Sequence, residues 1–261
     1  VIADLLGVPE ADHEKFRREY SHGGVGSTSG SMAHNPLEFL YGQFSAYVED
    51  RRREPREDVL TGLATATFPD GSIPEVIDVV RVAVNLFAAG QETTVRLLAA
   101  SLHLMAEQPE LQDLLRNDRS LIPRFVEETL RIDGPIKGDF RLSRVPATVG
   151  DVEMAAGTTL MLVNGAANRD PRQFERPDEF LLDRHNGRQH VAFGQGIHTC
   201  PGAPLARSEA RVSIERLLDR MEDITISERV HGPVGARRYK YLPTYILRGL
   251  TRLNLEFEPT D

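Results

Sequence analysis

Phe193-Gly194-Gln195-Gly196-Ile197-His198-Thr199-Cys200-Pro201-Gly202 is the stretch on which the reading of this chain turns. Its glycines let the backbone approach a flat or bulky group closely. After Gly202 the pattern becomes helical, from about 204 to 221, so Cys200 stands just before a helix N-terminus. Free N–H groups and the positive end of the helix dipole favour a thiolate there. Cys200 is the only cysteine in 261 residues. A single cysteine excludes an intramolecular disulfide framework, a multi-cysteine zinc site and a cysteine-ligated iron–sulfur cluster. It leaves a buried inert thiol, a nucleophile, a redox thiol or a single metal ligand. A nucleophile needs a histidine and an orienting group, yet His198 is adjacent in sequence and no third group is evident. A haem iron needs only one soft axial donor, because the macrocycle fills the other positions.

Composition narrows the class. The net charge is −8, with 40% hydrophobic and 27% charged residues. That is globular composition, on a chain long enough for a sizeable core. The acidic balance argues against nucleic acid as the main partner. No apolar run reaches the roughly 20 residues of a membrane span, and no signal-peptide pattern opens the chain. A cytoplasmic location is the expectation. The first residue is Val1, inside the apolar stretch Val1-Ile2-Ala3-Asp4-Leu5-Leu6. This stretch reads as the end of a helix whose beginning is missing.

Helical patterns dominate the first half of the chain. A short charged helix is expected over 9–20, then a flexible glycine- and serine-rich stretch over 21–31. Asn35-Pro36 opens a helix with Leu37, Leu40, Tyr41, Phe44 and Val48 at helical spacing. It ends in Arg51-Arg52-Arg53-Glu54, read as a solvated end that compensates the dipole. A short helix is expected over 58–66. Ser72-Ile73-Pro74-Glu75 reads as a capping box opening a long helix over 73–108. At ~1.5 Å per residue it spans about 54 Å, enough to cross a domain. Further helices are expected over 109–116 and 121–131. Val145, Val149, Val152 and the run from Thr158 to Val163 read as short strands, turned at Gly150 and Gly157. The segment 168–190 is irregular, and the tail over 239–257 reads as strands. The expected class is mostly α with minor β (α+β), one domain over 1–261, with the cysteine loop at 191–202.

The decameric stretch, written Phe-Gly-x-Gly-x-His-x-Cys-x-Gly, resembles the haem-binding signature of cytochrome P450 monooxygenases. The resemblance implies haem b with Cys200 as the proximal iron ligand. Phe193 would cover the proximal haem face, Gly194 would lie beside it, and His198 would face a propionate. Ala89-Gly90-Gln91-Glu92-Thr93-Thr94 resembles the family's oxygen-activation motif. Alone it reads equally as a packing notch of small residues. The resemblance implies that Ala89 and Gly90 let haem and O2 approach, in a locally opened helix. Thr93 would hydrogen-bond to dioxygen, and Glu92 would feed protons to it.

Glu128-Thr129-Leu130-Arg131 is similar to the family's Glu-x-x-Arg, although such pairs are common on any helix. In the family the pair meets a third arginine, and Phe180-Leu181-Leu182-Asp183-Arg184 supplies Arg184. This cluster would be structural, pinning coil to helix by charge-assisted hydrogen bonds. Arg141 matches the strand arginine that binds a propionate, and Asn168-Arg169-Asp170-Pro171 also fits the family pattern. The pocket lining implied by analogy is Leu86, Phe87, Ala89, Ile136, Lys137, Tyr245 and Ile246, with plain core packing as the alternative for each. The resemblance runs over the whole chain, as the C-terminal portion of the family's fold. Nothing matches the family's first several helices.

The implied reaction takes O2, two electrons and two protons, and places one oxygen atom in a hydrophobic small molecule, such as a terpenoid or steroid. No bound NAD or flavin is implied. Electrons would come from a ferredoxin or flavodoxin with its own reductase. Arg188, Arg207 and Arg211 would steer such an acidic donor. Two rival readings are a haem-binding but catalytically idle protein, and a cysteine hydrolase pairing Cys200 with His198 or His190.

Overall fold

Among the described residues the chain opens with α1 (Ile2–Leu5), α2 (Glu10–Ser21), α3 (Pro36–Arg53) and α4 (Val59–Ala64). The structure, a computed structural model, describes residues 1–21 and 36–260. Beyond its first residue, the stretch expected to be flexible at 21–31 lies outside them. Leu40, Phe44 and Val48 repeat every fourth residue and bury one stripe of α3. They pack with Phe16 of α2, Leu60 of α4, and Val80, Ala83 and Phe87. Phe16, Phe44 and Phe87 meet edge to face, at 5.2 to 6.0 Å between centroids.

The arginine run closing α3 is a solvated helix end only at Arg53 and Glu54, which are exposed. Arg51 is buried, donating to Asp58 (2.8 Å), Asp50 (2.9 Å) and the Gly7 carbonyl (2.6 Å). Arg52 donates to the carbonyls of Ala64 and Pro74. The run staples three turns together, because orphan carbonyls need donors where water is excluded. Asp58 also caps α4 through the Thr61 amide (2.7 Å). Gly7 sits at φ +70°, and a Cβ there would come within 2.1 Å of the Asp58 carboxylate. Only glycine fits that turn.

The long helix is α5 (Val76–Glu107), 32 residues. It starts later than the capping box suggests. The Ser72 hydroxyl donates to Asp70, and the first helical amides, of Asp78 and Val79, reach the Glu75 carbonyl instead. Nor is α5 opened near Gly90, since it is α-helical from end to end. Val1–Glu92 and Thr93–Asp261 form two compact units, and α5 contributes to both.

The second unit continues with α6 (Pro109–Asn117) and α7 (Ile122–Asp133), then β1 (Asp139–Leu142), β2 (Ala147–Val149), β3 (Val152–Met154) and β4 (Thr159–Leu162). It closes with α8 (Asn164–Ala167), α9 (Ala203–Arg220), β5 (Met221–Ile226), α10 (Glu228–His231) and β6 (Leu255–Pro259). Its core joins Leu97 and Met105 of α5, Phe125, Val126 and Leu130 of α7, and Ala210, Ile214 and Leu218 of α9. Among the described residues the strands pair antiparallel, β1 with β4, β2 with β3 and β5 with β6. The sequence pattern predicts strands over 239–257. The one regular strand of that tail is β6, and its partner β5 lies outside the segments read as strands. The Gln112 side chain holds β5 by both the amide and the carbonyl of Ile224, a bond across the fold that no local pattern announces. Among the described residues no helix is long and apolar enough to cross a membrane.

Candidate functional site

The cysteine loop closes on itself. The Cys200 amide donates to the Phe193 carbonyl (2.8 Å), the Gly194 amide to Val191 and the Thr199 amide to Gly196. Gly194 and Gly196 take positive φ, +69° and +75°, and a tight turn of 3-10 helix spans Gly196–His198. Gly202 caps α9, and its missing Cβ would lie 3.8 Å from the Cys200 sulfur. The sulfur therefore sits beside the positive end of an 18-residue helix, half-buried and free of any disulfide. Ile197 is 96% exposed, and His198 is exposed beside it.

Three residues outside the motif hold this loop. Glu127 of α7 accepts from His190 Nε2 (3.0 Å) and from Arg207 of α9, Nε at 2.6 Å and Nη2 at 3.0 Å. Burial pushes the Glu127 carboxyl up. The hydrogen bonds of His190 and Arg207 and the Arg207 charge outweigh it, and its pKa falls to about 2. The Ala192 amide donates to His190 Nδ1 (3.1 Å). That nitrogen is then the acceptor, and Nε2–H is the donor to Glu127. The Arg207 guanidinium lies over the Phe193 ring, 4.6 Å from its centroid. His190 is thereby removed as a hydrolase base, because both its nitrogens are engaged away from Cys200.

This geometry also changes the reading of Arg207 as a free surface charge, since Glu127 already neutralises it. Arg211 pairs with Glu215, and Arg188, 76% exposed, lies 3.6 Å from the same Glu127 carboxylate. With Arg124 and Arg184 these arginines line one cleft of about 410 Å³.

Glu128, the next residue, faces the irregular segment. It accepts from Arg131 Nη2 (2.7 Å) and Nε (2.9 Å), from Arg184 Nε (3.0 Å) and from the Leu181 amide (3.0 Å). Arg131 donates onward to the carbonyls of Asn168, Pro177 and Glu179. Arg184 reaches those of Glu175, Arg176 and Glu179. Both guanidiniums lie against the Phe174 ring. Burial raises the Glu128 carboxyl, but these donors hold it below its ordinary value. Asn168 joins the two clusters, its carbonyl accepting from Arg131 and its side chain from the Val191 amide (2.7 Å).

The remaining residues are placed less uniformly. Glu92 and Thr93 are half-buried at mid-α5, Glu92 ending the first unit and Thr93 opening the second. Gly90 lies against the Ile2 side chain, which a Cβ there would meet at 3.1 Å. Ala89 is exposed, and Leu86 is half-buried against the first core. Phe87 is buried in the first core. Ile136 bridges to Leu247, and the Lys137 amide donates to Ile246 (2.7 Å), so 136–137 and 246–247 lie side by side. The Lys137 ammonium turns to Asp133 (3.1 Å) and the Ile132 carbonyl. Burial holds its pKa below the ordinary value against the pull of Asp133. Tyr245 is 87% exposed. Arg141 is exposed on β1, donating to the Phe140 carbonyl.

Sequence reading passes over Glu127, takes His190 only as a rival hydrolase base and gives Asn168 no role. The signal is present in Glu127-Glu128, two adjacent acids inside an apolar helical stretch, and in the histidine opening His190-Val191-Ala192-Phe193.

The donor chemistry fits a haem. Cys200 offers one soft ligand beside a helix N-terminus, from a loop with no side chain at Gly194, Gly196 or Gly202. A sequence profile described as Cytochrome P450 matches residues 45–229. The chain belongs to the cytochrome P450 family. It is 36% identical to cytochrome P450 144 of Mycobacterium tuberculosis, over 98% of this chain and 58% of that one. It is 34% identical to the vitamin D(3) 25-hydroxylase of Pseudonocardia autotrophica, over 99% and 62%. Among solved structures, substrate-free CYP150A6 of Mycobacterium marinum matches with TM-score 0.91 and 59% identity, over 100% of this chain and 61% of that one. The chain spans about 60% of the length of these relatives.

Proposed function

We propose that this chain carries the thiolate side of a haem monooxygenase acting on a hydrophobic small molecule. The observation that carries the reading is the closed Phe193–Cys200 loop, with the only cysteine beside the α9 N-terminus. When bound, the haem activates O2, so that one atom enters a C–H bond of the substrate and the other leaves as water, with two electrons and two protons consumed. Cys200 would ligate the iron as a thiolate, stabilised by the free N–H groups of α9. Arg141 and His198, both exposed cationic or protonatable groups, suit the two carboxylates of a haem b.

Glu92 and Thr93 are adjacent on α5, and their roles are proton roles. Glu92 takes a proton from solvent, and the Thr93 hydroxyl passes one on while its oxygen is reprotonated. The substrate class is steroid- or terpenoid-like. The hydroxylase of Pseudonocardia autotrophica is named for vitamin D(3), and CYP109E1 of Bacillus megaterium, 28% identical with TM-score 0.83, has been solved with corticosterone. The electron donor is a ferredoxin or flavodoxin with its reductase, and the largely exposed Arg188 is the arginine of the three that is best placed to meet an acidic partner.

The test is the absorption spectrum of the ferrous–CO form. A strongly red-shifted Soret band that disappears in Cys200→Ala is expected, and its absence from haem-loaded wild type overturns the reading. Turnover separates the enzyme from an idle haem protein. Thr93→Ala is expected to consume electrons and release peroxide with little product; unchanged coupling removes Thr93 from proton delivery.

A further inference from the structure

We infer that Glu127 is a positioning residue for the thiolate loop, acting through His190 on one side and Arg207 on the other. The inference rests on the haem-thiolate reading and adds a residue outside the motif. A set of contacts running from the carboxylate to the loop carries it. His190 Nε2–H donates to Glu127, and His190 Nδ1 accepts the Ala192 amide, so the carboxylate fixes the backbone just before Phe193. Arg207 is held by two bonds to Glu127, and its guanidinium lies over Phe193. The Phe193 carbonyl then accepts the Cys200 amide at 2.8 Å. The path from carboxylate to cysteine is thus a continuous series of hydrogen bonds and one ring contact. Groups that orient a metal ligand from outside its immediate contacts tune both its affinity and its basicity. Glu127 remains ionised across the working pH range, so the grip does not switch off.

Two conservative changes cut different bonds. Glu127→Gln keeps the shape and loses the charge. His190→Asn keeps an acceptor for the Ala192 amide and loses the reach to Glu127. Each is expected to bind haem and to keep its far-ultraviolet dichroism. The ferrous–CO spectrum is expected to divide between the red-shifted thiolate band and the band of a protonated or displaced thiol. Haem loss to a scavenger should be about tenfold faster. The double variant should be no worse than the worse single, because both cut the same link.

A residue that only supports the fold would lower the melting temperature and leave the band ratio of the folded fraction unchanged. That result in both variants overturns the inference. If Glu127→Gln takes up no haem, His190→Asn decides the matter alone, since it leaves the Glu127–Arg207 pair in place. A wild-type protein without the red-shifted band overturns the haem-thiolate reading instead, and the two failures are told apart by that first spectrum.

Discussion

Glu127 and Glu128 stand one residue apart on α7, and about 100° of helical rotation separates their directions. Glu128 turns to the irregular segment, where Arg131, Arg184 and the Leu181 amide occupy it. The side chains of both its arginines are buried and continue to backbone carbonyls of the same coil. Glu127 turns to the cysteine loop, where its arginine is part-exposed and its histidine grips loop backbone. The carboxylate chemistry is shared. The difference lies in where the chain of donors ends, on inert coil in one case and on the Phe193–Cys200 closure in the other.

The sharpest way to break the comparison is Arg131→Ala. It leaves Glu128 buried with Arg184 and strips donors from three carbonyls. Breaking a buried pair costs about 3–5 kcal/mol, so urea unfolding should show a large loss or no cooperative transition. A wild-type midpoint would show that the coil is held elsewhere. Glu127→Gln should cost less, about 1–3 kcal/mol, because Arg207 reaches solvent and rehydrates. An equal loss in both variants would make the two clusters alike.

Acid unfolding separates them further. Both carboxyls are depressed in the fold, so their stabilisation is present above about 4.5 and is lost as pH falls, for Glu127 toward about 2. Midpoints measured across that window should fall less steeply in Glu127→Gln than in wild type. An unchanged slope would mean that Glu127 is not depressed. The smallest effect is expected from Arg207→Lys, which keeps the charge beside Glu127 and loses the guanidinium contact with Phe193. About 0.5–1 kcal/mol of stability is expected to go, read as a shift in melting temperature. No shift would show that the ring contact adds nothing to the ion pair.

Much of this is legible in the linear chain. The helices from α2 to α7 and α9 follow from apolar spacing and turn residues, within a few residues at each end. The cysteine loop follows from its glycines and the helix after it. Other features are not legible, for a common reason. Ser72 bonds to Asp70 instead of capping α5, and Gln112 holds β5 across the core. Arg51 looks like a surface charge until Gly7 and Asp58 fold over it. Each depends on a partner distant in sequence or on a local competitor of equal strength.

By itself, then, the sequence determined the helical class, the resemblance to a haem-thiolate family and the single cysteine on which that chemistry turns, because motif spacing and periodicity are local. Only the tertiary structure decided that Phe87 joins a buried aromatic cluster, that Gly90 lies against Ile2, that Arg207 is paired with Glu127, and that Glu127 bonds to both His190 and Arg207. These are questions of which buried charge meets which partner, and burial makes an unpaired answer too costly to persist.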